Sequence, residues 1–159
     1  MQKIASFCLL FGTALLPIYV FSSGTVQPTH MFLACFASLA LMTKGIPLAL
    51  WSLALLALFL HSLVVESIYI IAAGNSETLI NSIFFLYNFL LVCAIYQHVR
   101  QNDLSPIVLG ILIAGGFAFA TILFSGIDMR EIAESGRSTA TFNNPNQLGY
   151  FSVCLLSLV

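Results

Sequence analysis

Six apolar runs, separated by short polar breaks, constrain this chain more than any other feature. They cover residues 4–21, 31–42, 46–65, 79–96, 106–124 and the stretch from 145 onward. A bilayer core is crossed by about 20 apolar helical residues. Composition agrees with that reading. Only 7% of the 159 residues are charged and 60% are hydrophobic, whereas a soluble domain carries about 25% charged residues. The expected fold is an all-α polytopic membrane protein with about six transmembrane helices, the last truncated. It forms a single helical module over residues 1–159, with no separate soluble domain. A net charge of -1 supplies no basic field for nucleic acid, so the lipid bilayer is the expected surrounding.

Lys3 precedes the first run, as a basic residue precedes a secretory signal, and Ser22-Ser23-Gly24 offers small residues for cleavage. The run is longer than the ~7–15 residues of a signal core, and more apolar runs follow, which favours a first transmembrane helix. Pro17 lies near its far end, where unwinding is tolerated. The second run is short and is long enough to cross only if residues 26–30 and Thr43 join it; Lys44 then anchors its end. Pro47 is placed at the first position of the third helix, with Trp51 as an interfacial anchor. Residues 68–73 extend that helix or lie along the interface, and 74–77 form a turn. Residues 97–103 are read as a polar connector. In the fifth run Gly110, Ala114 and Ala118 recur every four residues, a small-residue face that lets another helix approach closely. Counts of Lys and Arg on the two sides come to three against two, whether or not the second run crosses, so the charge rule leaves orientation open.

The isolated polar residues have both a packing and a functional reading. Cys8, Cys35, Cys93 and Cys154 all sit in apolar runs without close spacing, which favours packing over a metal or thiol site. His30 and His98 fall at run ends. His61 lies five residues before Glu66, about 140° away on a helix, so the two are not paired. Asn81 and Asn88 share a helical face; Asn88 either lines a polar cavity or joins helices by hydrogen bonding, and joining is favoured. Residues 125–144 hold Asp128, Arg130, Glu131, Glu134 and Arg137, five of the eleven charged residues. Glu131 and Glu134 are weak general-base candidates within what reads as a solvated loop.

The polar chemistry is densest in Arg137-Ser138-Thr139-Ala140-Thr141-Phe142-Asn143-Asn144-Pro145-Asn146-Gln147. Asn144 suits an N-cap, Pro145 the first helical position, and Gln147 the reciprocal position of a capping box. Such a helix start can be purely structural. It also presents unpaired N–H groups and a positive dipole end that attract phosphate, and Arg137 can add a bidentate contact.

These ten residues, 137–146, resemble the R-x-x-G-T-F-x-N-P-N signature of the O-antigen ligase and O-antigen polymerase superfamily, with Ala140 where glycine is common. The resemblance implies a multi-helix glycosyltransferase of the bacterial inner membrane, with the motif loop facing the periplasm or cell exterior. Its partners would be an undecaprenyl-diphosphate-linked glycan and an acceptor glycan or lipid A-core, with no cofactor and no metal. By the same resemblance, Arg137 would stabilise the departing diphosphate, and Arg137, Thr141, Asn144 and Asn146 would bind substrate. The family's external loop with its catalytic histidine follows the signature, and this chain stops inside an apolar run only 15 residues after Pro145 begins it. The expectation is therefore an N-terminal part of a larger protein, inactive alone. The alternative functions are a small transporter or flippase subunit, and a structural membrane partner acting through its small-residue face.

Overall fold

The computed structural model describes residues 1–18, 20, 26–74, 79–101 and 104–124. Among them it is all-helical, with α1 at Gln2–Ala14, α2 at Pro28–Lys44, α3 at Leu50–Ala73, α4 at Leu79–Gln101 and α5 at Ser105–Phe124. The sixth expected helix falls outside the described residues. Two of the five, α3 and α4, are long and apolar enough to cross a membrane; α5 over Ser105–Thr121 is apolar but shorter. The chain divides into two compact units, Lys3–Cys35 with Leu104–Val159, and Met1–Gln2 with Phe36–Asp103.

In the first unit, α1 is shorter than the sequence suggests. Its 13 residues rise about 20 Å, less than a bilayer core. Pro17 explains the early stop. It has no N–H to donate, and its ring clashes with the carbonyl four residues back, at Thr13. The chain leaves through a tight turn in which Ile18 N–H donates to Leu15 O at 3.0 Å. Gln27 then ties the following segment down. Its Oε1 accepts from Val20 N–H at 3.0 Å, and its side chain is buried. Its carbonyl accepts from His30 N–H at 3.0 Å while its own N–H donates to His30 Nδ1 at 2.9 Å. Gln27 is thus the N-cap of α2, Pro28 occupies the first helical position, and His30 closes the cap from the third.

Close approach in this unit depends on two glycines. A Cβ at Gly12 would lie 2.6 Å from Leu33 Cδ2, and Thr29 Oγ1 donates to Gly12 O at 2.5 Å. A Cβ at Gly110 would overlap the Thr13 hydroxyl and lie 2.8 Å from Leu10 O. Ala114 and Ala118, on the same face of α5, are buried as well. The small-residue repeat is therefore a helix-packing face, as its spacing predicts.

The second unit is built on α3 and α4. Trp51 meets Tyr96 at one end, ring centroids 5.0 Å apart, and Glu66 meets Ser82 at the other, so the two helices run antiparallel. Each neighbouring helix stop is a left-handed glycine. Gly45 (φ 71°) ends α2 and Gly74 (φ 67°) ends α3. Their N–H groups donate to Leu41 O and Ile70 O, both at 2.8 Å, and satisfy carbonyls the helices leave open.

Two boundaries differ from the sequence reading, and one choice it left open, at residues 68–73, is settled as helix. Pro47 does not open α3. It is buried upstream of the N-cap Ala49, and Ser52 serves the start instead. Ser52 Oγ accepts from Ala49 N–H at 3.0 Å and sits 2.5 Å from Pro47 O and 2.8 Å from Ala49 O. Residues 68–73 continue α3 as helix. The supposed connector is helical up to Gln101, because Gln97 and Lys44 lock it in place: Lys44 Nζ donates to Gln97 O at 3.2 Å and Gln97 Nε2 to Gly45 O at 3.3 Å.

Candidate functional site

The residues that carry the sequence motif, Arg137, Thr141, Asn144 and Asn146, lie outside the described residues, as do Asn143, Glu131 and Glu134. The described part brings together a different polar constellation, on α3 and α4. Glu66 faces the first turn of α4, where N–H groups have no helical partner. Its Oε2 accepts from Ser82 N–H at 3.2 Å and from Ser82 Oγ at 2.6 Å. Its Oε1 accepts from Ser62 Oγ at 3.4 Å, and the two serine hydroxyls are 3.3 Å apart. A carboxylate at the positive end of a helix dipole is favourably placed. The cluster therefore caps α4 from a neighbouring helix.

Beside it runs a groove of about 400 Å³ lined by Glu66, Phe84, Phe85 and Asn88. Among the described residues Asn88 is exposed and lines this groove, the arrangement the cavity reading expects. Carboxylate, amide and aromatic edges side by side can accept and donate hydrogen bonds to a polar group while excluding water on one flank.

In the sequence Glu66 stands out only beside His61, with which it does not pair. The signal that reveals it is long-range: Ser62 and Glu66 are four apart on α3, hence on one face, and Ser82 sits in the first turn of α4. Only the hairpin brings them together. His61 is exposed on α3.

The other histidines have structural surroundings. His30 closes the α2 cap, and His98 is buried with its ring edge-on to Phe36, centroids 5.4 Å apart. Cys8 and Cys93 are buried, Cys35 is exposed, and all three are free thiols. Among the described residues no three His, Cys, Asp or Glu side chains group closely enough to hold a metal ion.

Comparisons of the chain with protein-family models, with curated proteins and with solved structures find no match.

Proposed function

We propose that the chain is embedded in a membrane and belongs to a glycan transferase that uses a polyprenyl-diphosphate-linked donor. The observation that carries this reading is the Arg137-x-x-Ala140-Thr141-Phe142-x-Asn144-Pro145-Asn146 motif at the head of an apolar run. The apolar exterior of the helices supports membrane embedding. Leu48, Leu50 and Ile71 are 91%, 86% and 85% exposed, and α3 has no buried stretch of span length. In water such a surface would drive aggregation; in hydrocarbon it is the expected exterior.

In the proposed reaction an acceptor sugar hydroxyl attacks the anomeric carbon of the donor. The new C–O bond forms as the bond to the diphosphate breaks. The diphosphate leaves with the electron pair, and the hydroxyl proton passes to a base. Arg137 spreads its two-pronged positive charge over the departing phosphate oxygens, where charge grows most in the transition state. Asn144 and Asn146 hold the loop or contact the glycan, and Thr141 contributes a hydroxyl beside them.

Two experiments test this. Alkaline carbonate extraction of expressing cells is expected to leave the chain in the membrane pellet; release into the supernatant refutes embedding. In the chromosomal gene, Arg137→Lys keeps the charge but loses the planar fork. Transfer of a lipid-linked glycan in membrane vesicles is expected to fall roughly a hundredfold, the scale of losing one transition-state donor. Unchanged transfer removes Arg137 from the mechanism.

A further inference from the structure

A groove of about 620 Å³ lies between α1 and α5, within the unit that contains both helices. Its walls are graded. On α1 the lining runs Lys3, Ser6, Leu10, spaced three and four apart, so it forms one stripe. On α5 it runs Ser105, Leu109, Leu112, again one stripe. Both stripes begin polar at the helix N-terminus and turn purely apolar within two turns, a depth of about 10 Å. Among the described lining residues Lys3 is the sole charged group, and none is acidic.

We infer that this groove holds one anionic phospholipid, its phosphate against the Lys3 ammonium and one acyl chain laid along Leu10, Leu109 and Leu112. The inference rests on the membrane-embedded reading above. Charge complementarity selects the occupant. A lone cation at one end of an apolar trough matches an amphiphile whose charge is at one end and negative. A flexible lysine stem lies along apolar surface while its head reaches the phosphate layer. The groove's volume falls within the range of small-ligand sites. A water-soluble anion would use only the Lys3 end and leave the apolar floor uncovered, and a zwitterionic lipid would set its own cation beside Lys3.

The test uses the full chain purified in neutral detergent and native mass spectrometry with added phosphatidylglycerol or phosphatidylcholine. Phosphatidylglycerol is expected to bind about fivefold better, the preference one lysine near a phosphate layer confers. Lys3→Gln is expected to bring the two lipids to parity, while Lys44→Gln, which lines no part of the groove, keeps the preference. Leu109→Trp fills the trough and is expected to weaken both lipids. Inorganic phosphate at millimolar concentration is expected to displace neither.

No preference in the parent chain, a preference that survives Lys3→Gln, displacement by inorganic phosphate, or a second copy of the chain in place of lipid each overturns the inference. Failure of the underlying reading has a different signature: the chain then leaves the membrane in the carbonate extraction, before any lipid is added.

Discussion

Gly110→Ala is the sharpest probe of the packing, because Gly116→Ala on the same helix serves as its control. Both replace glycine by alanine inside α5, so the gain in helix propensity, about 1 kcal/mol, is common to both and cancels in the comparison. What remains is space. Around Gly116 no described atom lies within 4 Å of a new Cβ. At Gly110 the new methyl meets the Thr13 side chain, with Thr13 Cβ at 2.9 Å, and Leu10 O at 2.8 Å.

Neither obstacle can move cheaply. Leu10 O belongs to the α1 backbone. Thr13 Oγ1 is held by Leu9 O at 2.8 Å and Leu10 O at 3.0 Å, which fixes its rotamer. The helices must therefore separate, and the buried Ala114 and Ala118 lose contact with them. Overpacking of this kind costs about 1–3 kcal/mol, so Gly110→Ala is expected to be less stable than Gly116→Ala by that amount.

The assay is reversible unfolding in mixed micelles followed by circular dichroism, read as the difference between the two variants. A Thr13→Ala background removes the nearest overlap but leaves the Leu10 carbonyl. The double-mutant cycle should then show partial rescue, a coupling of at least about 0.5 kcal/mol. Equal stability of the two alanine variants, or additivity with Thr13→Ala, refutes the close approach of α1 and α5.

Other consequences are checked by the same unfolding assay or by labelling. Glu66→Ala removes the acceptor of Ser82 N–H and Ser82 Oγ and should cost about 1–2 kcal/mol, after allowance for the partial exposure of the carboxylate; Glu66→Gln keeps one acceptor and should cost less. Gly74→Ala has open space around it but φ 67°, so it should cost about 1 kcal/mol through left-handed strain alone. Ser52→Ala breaks the start of α3 and should cost about 1 kcal/mol. A variant retaining Cys35 as its single cysteine should resist a charged, water-soluble thiol reagent in intact membranes and react after solubilisation in SDS, since Cys35 is exposed on α2; rapid reaction in the membrane contradicts lipid contact there.

What the sequence made legible follows from what is local. Helix existence was legible because long apolar runs leave few alternatives, and the small-residue face of α5 was legible because its four-residue period is a property of one helix. Boundaries were less so. Proline was read as a helix opener at position 47 and a tolerable terminus at position 17, yet at 17 it ends the helix at Ala14 and at 47 it stands outside. A proline's effect depends on which residue caps the helix, and that is settled by side chains such as Ser52 and Gln27. The connector was misjudged over residues 97–101 because its polarity resembles a loop; Lys44 and Gln97, 53 residues apart, pin that part as helix. The Glu66 cluster was invisible for the same reason, since its partners meet only across the hairpin. The motif at 137–146 was legible as chemistry, and it lies outside the described residues.

The two lysines of the described segments are used in opposite ways, and the contrast bears on orientation. Lys44 is spent on the carbonyl of Gln97 at 3.2 Å, so it ties the end of α2 to the last turns of α4. Lys3 sits at the rim of an apolar groove whose described lining includes no acidic residue. A cation bound to backbone is needed on whichever side of the membrane that backbone lies, whereas a cation without an acidic partner in its own groove is free to answer the charge of the nearer leaflet. Leaving Lys44 out, with every run crossing, sets Lys3 and Arg100 against Arg130 and Arg137, two against two, so the charge rule stays undecided. Orientation therefore rests on a direct test of the N-terminus and not on the count. A reporter fused before Met1 that fluoresces and resists external protease places the N-terminus on the cytoplasmic side; a reporter cleaved by external protease places it outside.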